Sequence, residues 1–255
     1  MSLIDTHCHL SYYAAEEIPG LLERANQCGI TRAISIGAGE GAESAKQAIK
    51  LAETYQNVWA SVGIHPHDAG QYTTVETIET LAQHPRVVAI GETGLDFFRD
   101  WAPQANQEKL FIAQIELAKK VNKPLIIHCR DAAAQTLKIL LENQADHVGG
   151  VFHCYSEDAQ FAAELRKINF MVSFTGSLTF KKATALREAA REIPLDQIML
   201  ETDTPYMAPE PFRGAQSEPM HVLKIAEMLA QVKAITLEEV AEISTKNALR
   251  LFRLC

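Results

Sequence analysis

Pro124-Leu125-Ile126-Ile127-His128-Cys129-Arg130 is a short apolar run that stops at a histidine. A run of strand length, apolar throughout, fits a parallel strand covered on both faces. One unit later Val151-Phe152-His153-Cys154 repeats the pattern. Working outward, similar runs occur at Leu3-Ile4, Ala33–Ile36, Val58–Val62, Val87–Ile90, Leu125–Ile127, Gly150–Phe152, Met171–Phe174 and Ile198–Leu200. Their spacing averages about 28 residues, the period of a βα unit.

Amphipathic stretches lie between the runs. From Ala105 to Val121, residues Leu110, Ala113, Leu117 and Val121 share one helical face. Asp131 is the expected N-cap of a helix over 132–143, and Thr73-x-x-Glu76 an expected capping box. Two more helices are expected after the last strand, Met220 to Gln231 and Leu237 to Phe252, the second opened by the capping box Thr236-x-x-Glu239. Such alternation suits a doubly wound sheet or a closed barrel. Eight even repeats in 255 residues favour a single α/β domain over 1–255, a (β/α)8 TIM barrel with an extra C-terminal helix. No G-x-G-x-x-G follows the first strand, which weakens the dinucleotide-binding alternative.

Composition narrows the classes further. Hydrophobic residues at 47% and charged residues at 22% exclude disorder and a coiled coil. The formal charge of −8 argues against a diffuse basic surface for nucleic acid, but not against an enzyme whose site supplies its own cations. No basic leader opens the chain, and no apolar stretch approaches the roughly 20 residues that span a bilayer. Five cysteines without a Cys-x-x-Cys pair suggest free thiols in a reducing compartment, so a cytoplasmic location is expected. A chain of this size folds without a metal staple, so any metal here serves chemistry.

The unusual residues fall at strand ends. His7 and His9 follow the first strand, His65 and His67 the third, Glu92 the fourth, His128 the fifth, His153 the sixth and Asp203 the eighth. Barrel enzymes build their sites on that face. His7-Cys8-His9 has the period-2 spacing that sends two imidazoles to one side, a half-site for Zn or another divalent ion, or simply two polar residues at a strand edge. Asp5 shares their parity, as an orienting acid or a satisfied buried one. Glu92, between Gly91 and Gly94, is a carboxylate able to bridge two cations or a turn acid bonding amides. A lone His128 or His153 would be an ordinary core histidine; two in consecutive units reverse that preference. Asp203 is a candidate ligand and proton acceptor, whereas Glu201 suits a structural role. Cys8, Cys129 and Cys154 point away from the histidines and suit packing. Arg99, Arg130, Lys181, Lys182 and Arg213 are cations near the expected mouth. No G-x-S-x-G elbow or Walker loop is present.

Ile4-Asp5-Thr6-His7-Cys8-His9, Gly63-Ile64-His65-Pro66-His67, Gly91-Glu92-Thr93-Gly94-Leu95-Asp96, the run ending at His128, Glu201-Thr202-Asp203-Thr204-Pro205-Tyr206 and Asn247-Ala248-x-x-Leu251-Phe252 together resemble the signature of TatD-type metal-dependent deoxyribonucleases. The resemblance covers essentially the whole chain. It implies an amidohydrolase-superfamily barrel with two divalent ions (Mg, Mn or Zn), His7, His9 and Asp203 holding one, His128 and His153 the other, and Glu92 bridging. The implied activity is metal-dependent hydrolysis of phosphodiester bonds, a 3′-5′ exodeoxyribonuclease acting on single-stranded or frayed DNA ends, with Asp203 as general base and Glu92 also catalytic. His65, Arg130 and Arg213 are the candidate substrate contacts. The rivals are a hydrolase of small amides, lactones or phosphoesters on the same centre, and a dead barrel kept as an interaction module. Two departures from the family's pattern bear on substrate: Glu157 stands where the family commonly has Gly, and Ala215 and Ser217 where it has Lys and Asn.

Overall fold

Each apolar run becomes a strand in the computed structural model, which describes residues 2–254. The strands are β1 (Leu3–Cys8), β2 (Ile30–Gly37), β3 (Val58–Val62), β4 (Val87–Asp96), β5 (Leu125–Arg130), β6 (Gly150–Phe152), β7 (Phe170–Phe174) and β8 (Ile198–Leu200). The helices are α1 (Ile18–Gln27), α2 (Ala42–Thr54), α3 (Glu76–Glu79), α4 (Gln104–Val121), α5 (Ala133–Glu142), α6 (Ala159–Lys167), α7 (Thr184–Glu192), α8 (Val222–Lys233) and α9 (Leu237–Phe252). The strands form one sheet in chain order from β1 to β8. β1 also meets the segment leaving β8, where the Asp203 amide donates to the His7 carbonyl (2.9 Å) and the His9 amide to that of Thr204 (2.8 Å). The fold class is therefore the (β/α)8 barrel, with α9 as the additional C-terminal helix.

The described residues cluster into two compact units. The first comprises the chain up to Ile34, Cys154–Arg166 and everything from Met171 on. Within it α9 lies against β1 and β8. The Asn247 side-chain amide fixes that packing by donating to the carbonyls of Leu195 (2.9 Å) and Ile198 (2.8 Å). The expected capping box of α9 forms: the Glu239 amide donates to Thr236 Oγ1 (3.2 Å), and the Thr236 amide to Glu239 Oε2 (2.9 Å).

The second unit, Ser35–His153 with Lys167–Phe170, carries α2 against β3 and α4 against β4. Two buried glutamines of α4 serve backbone rather than solvent. Gln114 accepts from the Ile64 amide (2.8 Å) and donates to its carbonyl (2.9 Å), while Gln107 accepts from the Asp96 amide (2.9 Å).

Three expectations need correction. His7, Glu92 and His128 do not follow their strands: His7 lies within β1, His128 within β5, and Glu92 inside β4, where the β4–β5 register shifts between Ile90 and Thr93. An irregularity of this kind re-aims a side chain. Gly91 has φ 151°, and a Cβ there would stand 2.6 Å from the Ile126 carbonyl oxygen; at Gly94, φ 135°, it would meet that of His128. Both glycines let β4 press against β5 around the carboxylate. Asp131 does not cap α5, because its φ of 53° is left-handed rather than extended and Ala132 takes the cap position. Thr73-x-x-Glu76 is no capping box either, since α3 starts at Glu76 itself with Val75 as its cap. Among the described residues no helix is long and apolar enough to cross a membrane.

Candidate metal centre

In the first unit, β1 is buried along its whole length, and its extended backbone puts His7 and His9 on one side. Their Nε2 atoms stand 3.3 Å apart. Asp203 Oδ1 lies 3.6 Å from the nitrogen of His7 and 3.5 Å from that of His9. Asp203 is brought in by its left-handed backbone (φ 55°), which aspartate tolerates better than most residues. Ligands ~2.0–2.1 Å from a tetrahedral ion stand ~3.3–3.4 Å from one another, so this triangle has the size of a cation's donor face.

Beneath it, Asp5 accepts from the Thr202 amide (2.9 Å), the Thr202 hydroxyl (2.6 Å) and the His7 amide (3.3 Å). Burial pushes its carboxyl up to about 8 against those donors. Asp5 thus ties β1 to the segment after β8. Glu201, also buried, accepts from the Cys154 amide (2.6 Å), consistent with a structural acid.

In the second unit, Glu92 Oε1 gathers three imidazoles: His128 Nδ1 at 2.7 Å, His153 Nε2 at 2.8 Å and His65 Nε2 at 3.3 Å. The nitrogens of His128 and His153 are 3.4 Å apart. Burial works to raise the Glu92 pKa, but His153, His65 and His128 outweigh it and hold the group well below the carboxylate range. Burial draws His65 down to about 4 against the opposing pull of Glu92. His/carboxylate donors within 4.8 Å of one another, Glu92 and His153 buried and His128 half-buried, fit a divalent ion by their chemistry.

The profile of the TatD related DNase family matches residues 4–253. The chain belongs to that family. It is a metal-dependent hydrolase of that family. A Bacillus subtilis (strain 168) protein, the uncharacterized metal-dependent hydrolase YabD, is 42% identical over 99% of each chain. The 3'-5' ssDNA/RNA exonuclease TatD of Edwardsiella piscicida is 33% identical over 93% of this chain and 94% of its own. The crystal structure of YjjV, a TatD homologue from Escherichia coli K12, superposes with a TM-score of 0.93 at 28% identity, covering 99% of this chain and 98% of that one.

Within this TatD-family chain several side chains to which sequence reading assigns no role prove important. Asp96, fully buried at the end of β4, places Oδ2 at 2.7 Å from His67 Nε2 and 3.2 Å from His128 Nε2. Its Oδ1 accepts the amides of Phe98 (3.0 Å) and Arg99 (2.9 Å). One carboxylate therefore fixes an imidazole of the donor set and the loop beyond it. Tyr12 stacks on His9, with centroids 5.0 Å apart and planes at 14°, and Tyr206 stands edge-on to both rings. Tyr206 belongs to the motif over 201–206, but for Tyr12 the recurrence of aromatics just past strand ends is the signal the sequence offers.

Other expected residues sort by environment. Cys8 is buried, its thiol donating to the Ile34 carbonyl; Cys129 and Cys154 are half-buried beside the hydroxyls of Thr136 and Thr175, so packing near polar groups describes them better than full burial. Arg130 and Arg213 are exposed and lie over the rings of Phe98 (4.0 Å) and Phe180 (4.3 Å). Lys181 and Lys182 are exposed just ahead of α7. Ser217 is buried against His221 Nδ1 (3.2 Å), so at that position the side chain supports the loop rather than facing solvent.

The Asp96 geometry gives a prediction. Asp96→Asn retains an oxygen for the two loop amides and loses the acceptor for His67 and His128. Divalent-ion affinity should fall about 10- to 100-fold with the fold intact, as for other carboxylate partners of ligand imidazoles. Isothermal titration with Mn or Zn checks this, and unchanged affinity would confine Asp96 to a loop role.

Proposed function

We propose that the chain acts over 1–255 as one cytoplasmic, divalent-metal-dependent 3′-5′ exonuclease on unpaired DNA ends. His7, His9 and Asp203 would hold one ion and His128 and His153 a second; the family resemblance assigns Glu92 to both. Mg, Mn and Zn all suit these donors. When bound, the ions supply Lewis acidity that offsets charge on the phosphoryl oxygens. Asp203 accepts a proton from the attacking water at its carboxylate. His65, whose Nδ1 accepts from the His67 amide while Nε2 faces Glu92, is a substrate contact through its ring surface, and the exposed guanidiniums of Arg130 and Arg213 draw in the anionic strand.

The observation that carries the reading is the aromatic cover of His9. Tyr12 is 45% and Tyr206 55% exposed, although rings this large are normally put away from water. Open rings beside a metal centre suit the faces of unpaired bases, whereas a hydrolase of small amides or lactones needs an enclosed pocket. The same feature argues against a dead barrel, which has no use for open rings beside a full donor set. The Edwardsiella piscicida relative, named as a 3'-5' ssDNA/RNA exonuclease, supports the same substrate class.

The test is a gel of 5′-labelled single-stranded and blunt duplex DNA with Mg or Mn. A ladder shortening from the 3′ end, faster on single strands and abolished by EDTA, is expected. Hydrolysis confined to small amides or lactones would overturn the assignment.

A further inference from the structure

The loop that leaves β4 holds a second group of exposed aromatic and cationic side chains, separate in sequence from the Tyr12 and Tyr206 pair. Trp101 is 63% and Phe98 53% exposed. Exposing two such rings in one short segment forgoes burial that normally stabilises a fold, and a patch of this kind marks an interaction site. The segment is nonetheless held in place. The Phe98 and Arg99 amides bond Asp96 Oδ1, and the Phe97 amide donates to the Arg130 carbonyl (2.9 Å). Trp101 stands edge-on to His67, with ring centroids 4.4 Å apart.

The cations are arranged around these rings. Phe98 carries the guanidinium of Arg130 at 4.0 Å and that of Arg99 at 5.2 Å from its centroid. Arg99 also lies 5.3 Å over Trp101, which leaves the rest of that exposed indole to solvent. Phe98 thus orients two guanidiniums, and Trp101, 63% exposed, keeps indole surface open to solvent beside them although Arg99 lies over one part of it. A ligand matching this pattern is flat and apolar on one part and anionic on the next, as a nucleotide within a strand is.

We propose that the Phe98–Arg99–Trp101 loop with Arg130 is a nucleotide subsite of single-stranded DNA, in which Trp101 stacks one unpaired base and Arg99 and Arg130 hold its flanking phosphate. The proposal rests on the nuclease reading and adds a subsite on the His67 side of the second unit. A duplex end offers no free base face to Trp101, so the subsite selects unpaired strands.

The protein has two tryptophans. A Trp59→Phe background therefore leaves Trp101 as the sole indole reporter. Stopped-flow mixing in Mg2+ with an oligo(dT) strand should quench it in a fast phase, read independently of any cleavage. An oligomer of equal length with tetrahydrofuran abasic units keeps every phosphate and should quench little. Trp101→Ala should raise the KM for single-stranded DNA about 5- to 100-fold with kcat nearly unchanged, and Trp101→Phe should restore much of it. Equal quenching by the two oligomers, or an unchanged KM in Trp101→Ala, would overturn the subsite. Failure of the nuclease reading looks different: no strand is cleaved by wild type or variant, whatever the quenching shows.

Discussion

Glu92→Ala is expected to abolish DNA hydrolysis while leaving a folded protein. The carboxylate is buried, is held ionised by three imidazoles, and takes His128 and His153 at hydrogen-bond distance. Removing a single preorganised charge-stabilising group costs about 10²–10³ in rate; losing a shared metal ligand should exceed that. Alanine leaves the imidazoles without the anion that gathers them, so bound metal should fall as well. If Glu92 is shared by two ions, metal analysis of the purified variant should find both depleted. Circular dichroism should be unchanged, because the barrel core is apolar and large enough to fold without the metal. A variant that keeps its activity would remove Glu92 from the centre altogether.

The position of that carboxylate also marks where sequence reading stops. A strand buried on both faces is mostly apolar, so its run is near-continuous, and a histidine or acid ending the run stands out. His128 and His153 are legible for that reason, as are the spans of β3, β6 and β8. The bulge that holds Glu92 within β4 is not, because it depends on β5 pressing against Gly91 and Gly94. Asp131 looked like a cap because local chemistry favours it there, yet its left-handed backbone serves the turn after β5 instead. Asp96 at its strand end and Tyr12 and Trp101 in the segments beyond strands are common residue types in such places. Their meaning comes from partners distant in sequence, His128 for Asp96, or from exposure, which composition does not reveal.

Asp5 offers the largest expected effect on stability, and two substitutions separate its roles. In Asp5→Ala the amide and hydroxyl of Thr202 and the amide of His7 lose their acceptor in a fully buried place. Each buried donor left unsatisfied costs about 1–3 kcal/mol, so a total of about 3 kcal/mol or more is expected. For a chain of this size that corresponds to a Tm lower by about 6–12 °C. Asp5→Asn behaves differently. Its side-chain oxygen still accepts both amides, and its NH2 can donate to the Thr202 hydroxyl, which rotates to accept. Asn should therefore cost less than about 1 kcal/mol. Because Asp5 sets the backbone of His7 against the segment carrying Asp203, Ala should also weaken metal binding at His7, His9 and Asp203, and Asn should largely preserve it. Thermal unfolding with and without Mn reads both effects. A similar loss in the two variants would mean that the carboxyl group of Asp5 itself, rather than its acceptor geometry, is what the first strand requires.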